Sequence, residues 1–135
     1  MPFAFTDLGS HYLLVLSGVF TDRDLRELAL TVKAAEEAAP VTLNRIVDGT
    51  QIESFKIGFP ILSILTERRR AFPVKNPIKT ALLVRGKVAF GLARMFQLLN
   101  TAPGVQVRIV DSREEALAWF EGGAPNRMDN SAFPG

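Results

Sequence analysis

The chain has 135 residues, 47% of them apolar and 22% charged, which bounds it to one ordinary globular domain with room for a real core. It has no cysteine and one histidine, His11, so disulfides, thiolate zinc sites, cysteine nucleophiles and the usual two- or three-histidine zinc sites are excluded. The net charge of +2 conceals a split: Arg68 to Val110 carries nine of the 16 basic residues and no acid, leaving seven basic residues and all 14 acids elsewhere, so +9 stands against −7.

Phe3 to Thr6 and Tyr12 to Leu16 are short apolar runs around Asp7-Leu8-Gly9-Ser10, the pattern of a β-hairpin. His11 falls at the start of the second run, and any Ser-His-Asp triad would have to be built on it alone. Tyr12 to Phe20 is broken by Ser17 and Gly18 and is far too short to span a membrane; with no export signal in view, the expectation is a cytoplasmic protein. Thr21, with Asp24 three residues on, reads as the cap of a helix whose buried stripe is Leu25, Leu28, Ala29 and Val32, and Pro40 marks its exit.

Leu43 to Val47 reads as a strand ending at Asp48-Gly49-Thr50, followed by a loop. Pro60 suits the first turn of the next helix, where its missing N–H costs nothing. Ile61, Leu62, Ile64 and Leu65 would bury that helix, and Arg68-Arg69-Arg70 would close it on the favourable end of its dipole, with a binding role as the alternative. Pro73 and Pro77 bracket a loop, and Ala81-Leu82-Leu83-Val84 is continuously apolar, as a central strand covered on both faces should be.

Arg85-Gly86-Lys87 turns that strand into a helix bearing Val88, Leu92, Met95, Phe96 and Leu99, and Pro103-Gly104 ends it. Val105, Val107 and Ile109 alternate with Gln106 and Arg108, which predicts a strand with one wetter face near a sheet edge. Ser112 and Glu115 form a capping box for a last helix with Ala116, Leu117 and Phe120. The expected domain is 1–121, with 122–135 a flexible tail that docks, if at all, through Met128 and Phe133. The order β-β-α-β-α-β-α-β-α predicts an α/β fold: a mostly parallel sheet of four to five strands, an antiparallel N-terminal hairpin strand and about four helices.

Three segments carry a resemblance: Ile46-Val47-Asp48, the helix Phe90-Gly91-Leu92-Ala93-Arg94-Met95-Phe96, and Val110-Asp111 followed by Glu115-Ala116-Leu117-Ala118-Trp119-Phe120. Over roughly residues 3 to 121 the chain resembles the STAS domain of sulphate transporters and anti-sigma-factor antagonists. Small stand-alone proteins described as anti-sigma-antagonist-like, or STAS/SEC14-like, are the nearer likeness. Together with the lack of any catalytic or metal motif, this fold pattern leads to the expectation of a non-enzymatic binding or regulatory module with no cofactor, engaging a protein partner or anionic ligand. STAS antagonists place an Asp-Ser pair, whose serine is phosphorylated, at the start of the second helix. Matching Asp48 to their strand-ending aspartate puts Lys56-Ile57 there, so the hydroxyl is missing, although Thr50 and Ser54 lie nearby.

In open parallel sheets ligands favour the carboxyl ends of strands, where loops meet helix N-termini. Asp48, Thr50 and Ser54 from one segment, and Arg85, Gly86 and Lys87 from another, are therefore the candidate ligand-binding residues. Gly86 would let the backbone turn closely, and Arg85 and Lys87 would add charge at a helix start, although the Gly-x-x-x-x-Gly-Lys-Ser/Thr pattern is absent. Asp48 would serve as a base, hold a ligand hydroxyl, or accept hydrogen bonds from its own turn. Arg94 is expected to snorkel or pair with an acid. Five of the ten phenylalanines, Phe55, Phe59, Phe72, Phe90 and Phe96, group around the two middle helices. They form either core or an apolar slot; the SEC14 side of the resemblance implies a carrier, with Phe55, Phe59 and Phe90 lining the slot and Arg85 or Lys87 on the head group of a lipid-like anion. The module is expected to be a homodimer, and an exposed apolar face that is not a slot would be its dimer surface. Nucleic acid is disfavoured, because the basic segment lacks interleaved Tyr or Trp for stacking.

Overall fold

The computed structural model describes residues 2–122, and its elements follow the expected order. They are β1 (Phe3–Asp7), β2 (His11–Thr21), α1 (Asp22–Ala38), β3 (Asn44–Lys56), α2 (Phe59–Ala71), β4 (Ile78–Leu83), α3 (Lys87–Leu99), β5 (Val105–Val110) and α4 (Arg113–Phe120). The five strands form one sheet in the order β1-β2-β3-β4-β5, with β1 antiparallel to β2 and all other pairs parallel. Of the expected tail only Gly122 is described, and Met128 and Phe133 lie outside the described residues.

Sequence neighbours are sheet neighbours throughout, so the strand order never reverses. Each parallel crossover therefore sends its helix to the same side. The contacts agree: Val47 packs both into the α1-side core of Tyr12, Leu14, Leu16, Phe20, Leu28 and Val32 and into the α3-side core of Leu82, Ala93 and Val107. Among the described residues the opposite face is held by α4, through Ala116 and Trp119 against Ile46, Ala81, Leu83 and Val110.

The helix starts are largely as the sequence implies. Thr21 caps α1 in a complete capping box: Asp24 N–H donates to the Thr21 hydroxyl, and Thr21 N–H donates to the Asp24 carboxylate at 2.9 Å. Ser112 caps α4 by accepting from Glu115 N–H at 3.1 Å, but the Glu115 carboxylate reaches Asp111 N–H instead of its expected partner one residue on. Pro60 sits in the first turn of α2 as expected.

Four expectations need correction. Both middle strands are longer than predicted: β2 runs on through Ser17 and Gly18 to Thr21, and β3 runs past Asp48 to Lys56. Two register shifts absorb the extra residues of β3, between Val15 and Ser17 and between Gly18 and Val19, with Gly18 at φ 67° in the second. A bulge of this kind adds a residue to one strand and sharpens its twist. In α3 the buried line is Ala89, Ala93 and Gln97, not the larger residues; Val88 is exposed, because small side chains let the helix sit close to the sheet. In α2 Ile64 is exposed and Thr66 is buried in its stead, its hydroxyl donating to the Leu62 carbonyl at 2.9 Å.

The fourth correction concerns β5. It is an edge strand as expected, but Arg108, expected on a wetter face, is 3% exposed and stacks under Trp119 with 4.7 Å between guanidinium and ring centre. Trp119, with Lys79 donating to its carbonyl at 2.7 Å, is the main apolar anchor of α4, whereas Leu117 faces outward.

Candidate functional site

Asp48 lies inside β3, not at its end. It pairs with Leu83 at the last position where β4 accompanies β3, and beyond it β3 pairs only with β2. Its side chain is buried on the α4 face and both carboxylate oxygens are occupied. Oδ1 accepts from Thr50 N–H at 2.9 Å and from the Thr50 hydroxyl at 2.7 Å. Oδ2 accepts from Arg113 Nε at 3.2 Å and Nη2 at 2.8 Å, so the first residue of α4 is clamped to the middle of β3. Burial pushes this carboxyl upward, but the Thr50 donors and the Arg113 guanidinium outweigh it and hold Asp48 below the usual carboxylate range. A cation in the first turn of a helix opposes the dipole, and Asp48 offsets that cost at Arg113.

The six candidate ligand-binding residues come from β3 and from the junction of β4 and α3, and line neither of the two concavities that flank α2. Asp48 and Thr50 are bonded to each other, and Ser54 is an exposed residue of the β2–β3 extension, opposite Val19. Arg85, Gly86 and Lys87 are all exposed; Gly86 caps α3 at φ 86°, a left-handed conformation that favours glycine, and Lys87 is the first residue of that helix. An unreversed strand order explains this, since the crevice used by doubly wound sheets forms where the order reverses. The second helix begins at Phe59 with Gly58 as its cap, so Lys56 closes β3, and neither Gly58 nor Phe59 carries a hydroxyl.

A second charged cluster lies on the three-helix face, and sequence reading missed it. Glu36 of α1 is 8% exposed and its Oε2 accepts from Arg45 Nη1 of β3 and, at 2.8 Å, from Arg69 Nη2 of α2. Arg45 is 5% exposed; its Nη2 donates to the Leu43 carbonyl at 2.8 Å, its plane lies over the Tyr12 ring, and its Nε finds no acceptor among the described residues. Burial raises the Glu36 pKa, but the hydrogen bond and charge of Arg69 and those of Arg45 more than reverse that, leaving it lowered. Lys75 closes the end of α1 by donating to the carbonyls of Glu36 at 3.0 Å and Ala39 at 2.5 Å. The one signal in the sequence was phase: Glu36 continues the line of Leu28 and Val32 at steps of four.

Two concave regions flank α2. A cavity of about 480 Å³ lies between α1 and α2 and is floored by the 72–75 turn, beside the Glu36 cluster. On the other side, a shallow apolar groove between α2 and α3 is lined by Phe59, Phe90, Gly91, Arg94, Met95, Leu98 and Leu99. None of Asp48, Thr50, Ser54, Arg85, Gly86 and Lys87 lines either one. Phe59 and Phe90 therefore share a surface, while Phe55 and the Arg85 and Lys87 side chains contribute nothing to it. Arg94, expected to snorkel or meet an acid, hydrogen-bonds through Nη1 to Gln97 Oε1, and Gln97 donates to the Val107 carbonyl at 2.8 Å.

Among the described residues no group of three or more His, Asp or Glu could hold a metal ion, and no helix is long and apolar enough to cross a membrane. His11 is nearly buried at the start of β2, with Nδ1 at 2.8 Å from the Ser10 hydroxyl and its ring 6.0 Å from that of Phe120.

No protein-family model and no curated protein matches the chain. Among solved structures it is similar to an uncharacterised protein of the DUF3478 family, with a SpoIIAA-like fold, from Shewanella loihica PV-4. The TM-score is 0.57 at 11% identity, covering 87% of this chain and 91% of that one. The fold is thus SpoIIAA-like, the STAS-like architecture that the resemblance implies.

Proposed function

We propose that this protein is a non-enzymatic, STAS-like regulatory module that binds a protein partner through the α2–α3 face. The observation that carries the reading is the composition of that face. Phe59, Phe90 and Leu98 line one groove between these two helices and are each about half exposed or more, and large apolar residues grouped on one surface mark an interaction site. Arg94 lies in the groove itself, Arg85 precedes α3 and Lys87 begins it, and no acid occurs from Arg68 to Val110. The complementary surface is apolar at its centre and acidic at its rim. A homodimer built on the same face would set these cations against their own copies across the two-fold axis, which favours a different, acidic partner.

The Asp48 environment supports the non-enzymatic part. A carboxylate whose two oxygens are engaged by Thr50 and Arg113 is built to hold β3 and α4 together, not to accept a proton from a substrate.

A photo-crosslinking amino acid at position 90 or 98 in the producing cells would capture the partner, which is then purified and titrated against the protein. Phe90→Asp should weaken that binding at least tenfold, rising salt should weaken it too, and Thr6→Asp on β1 should leave it unchanged. Binding unaffected by Phe90→Asp, or crosslinks that join only two copies of this chain, would overturn the reading.

A further inference from the structure

The cavity between α1 and α2 differs from the α2–α3 groove in one respect that bears on ligand chemistry: its walls mix apolar side chains with an excess of cations. Ala29, Leu30, Leu65, Phe72, Pro73 and Val74 supply the apolar part. Arg26, Lys33, Arg68, Arg69 and Lys75 border it against only Glu36 and Glu37. Glu36 is already shared by Arg45 and Arg69, and Lys75 is held by backbone carbonyls. Arg26, Lys33 and Arg68 form no ion pair among the described residues, and Glu37 is the one other acid on the walls, so the opening keeps an excess of positive charge. Leu30 and Phe72 are 57% and 68% exposed at its edge, with the Lys33 ammonium 5.8 Å from the Phe72 ring centre. A volume of about 480 Å³ is that of a small-molecule site.

We infer that this cavity binds a small amphiphilic anion, a molecule with one carboxylate or phosphate head and an apolar body. The head meets Lys33 and Arg68, and the body covers Leu30, Leu65 and Phe72. Each part answers a feature left open in the free protein: unneutralised charge at the rim and exposed apolar surface beside it. Glu36 keeps Arg69 turned inward, so the anion is met by the outer cations and not drawn onto the buried pair. The site is independent of the α2–α3 face, and its variants leave that face intact.

Sodium decanoate, kept well below its micelle-forming concentration, is a suitable probe for titration into the ¹⁵N-labelled full-length protein, with decanol and inorganic phosphate as comparison ligands. Decanoate should shift amides within 26–37 and 65–75, and bind at least tenfold more tightly than either decanol or phosphate. The exposed pair Lys33→Met and Arg68→Ala, combined, should weaken decanoate about tenfold or more while leaving the thermal midpoint nearly unchanged. Decanol matching decanoate would remove the cations from the site, and phosphate matching it would remove the apolar body. Failure of decanoate to bind, unchanged affinity in the double variant, or shifts centred on Phe59, Phe90 and Leu98 would each overturn the assignment.

Discussion

Two buried carboxylates, Glu36 and Asp48, sit on opposite faces of the same sheet and are neutralised in different ways. Asp48 is satisfied within a neutral unit: one hydroxyl, one backbone N–H and one guanidinium whose side chain is 45% exposed. Glu36 is shared by two guanidinium groups, one of them on the buried Arg45, so its surroundings keep a net positive charge. The thin face, with one short helix, has a local clamp that closes α4 onto β3. The thick face, with three helices, has a charged joint where α1, β3 and α2 meet, and beside it the cavity. Arginine is suited to both places because its planar fork bonds carboxylate and carbonyl together.

The comparison can be tested by removing each carboxylate in turn. Glu36→Ala strands Arg45 in the interior and should cost about 3–5 kcal/mol in chemical denaturation, close to loss of the fold. Asp48→Asn keeps an acceptor for Thr50 and should cost less, about 1–3 kcal/mol, with the far-ultraviolet spectrum unchanged. A cost at Asp48 equal to that at Glu36 would erase the distinction between a clamp and a joint.

Acid sharpens the same contrast. Both carboxyls have lowered pKa values in the folded protein, so in the acid range the unfolded chain binds more protons. Their stabilisation is complete above the unfolded carboxylate range, near pH 4, and is lost as pH falls through the folded values. Stability measured from pH 6 downward should therefore fall, and Glu36→Gln and Asp48→Asn should each flatten that dependence. A smaller effect is expected at Thr21→Ala, about 1 kcal/mol for a lost cap. The smallest is expected at Phe90→Ala, within about 0.5 kcal/mol, because that ring is already half exposed.

Element order was legible because apolar runs, caps and prolines agreed with one another. The lengths of β2 and β3 were not, and Asp48 shows why. Asp-Gly-Thr reads as a turn, and the turn chemistry is present: Thr50 N–H donates to the Asp48 side chain two residues back. Here the motif serves a bulge within a paired strand, and only the partner strand reveals the difference. The buried line of α3 was misread by one position because large residues attract attention, whereas close packing on the sheet selects Ala89 and Ala93. Gln97 was invisible for another reason: its burial depends on the Val107 carbonyl of an edge strand, ten residues on. The candidate ligand residues were read from strand ends and helix starts, so the cavity between α1 and α2 had no counterpart in the sequence reading, whereas Phe59 and Phe90, expected on an apolar slot, do line the α2–α3 groove.

The unreversed strand order also determines when each part of the molecule can be completed during synthesis. No strand has to wait for a later one to fill a gap, so each new strand can dock on its predecessor as it leaves the ribosome. By Ala71 the emerging chain already holds Glu36, Arg45 and Arg69, the whole charged joint of the thick face. Asp48, made shortly after Arg45, stays without its guanidinium until Arg113 appears 65 residues later. The thin face is therefore sealed last, and a chain stalled before α4 exposes Ile46, Ala81 and Leu83 where Ala116 and Trp119 belong.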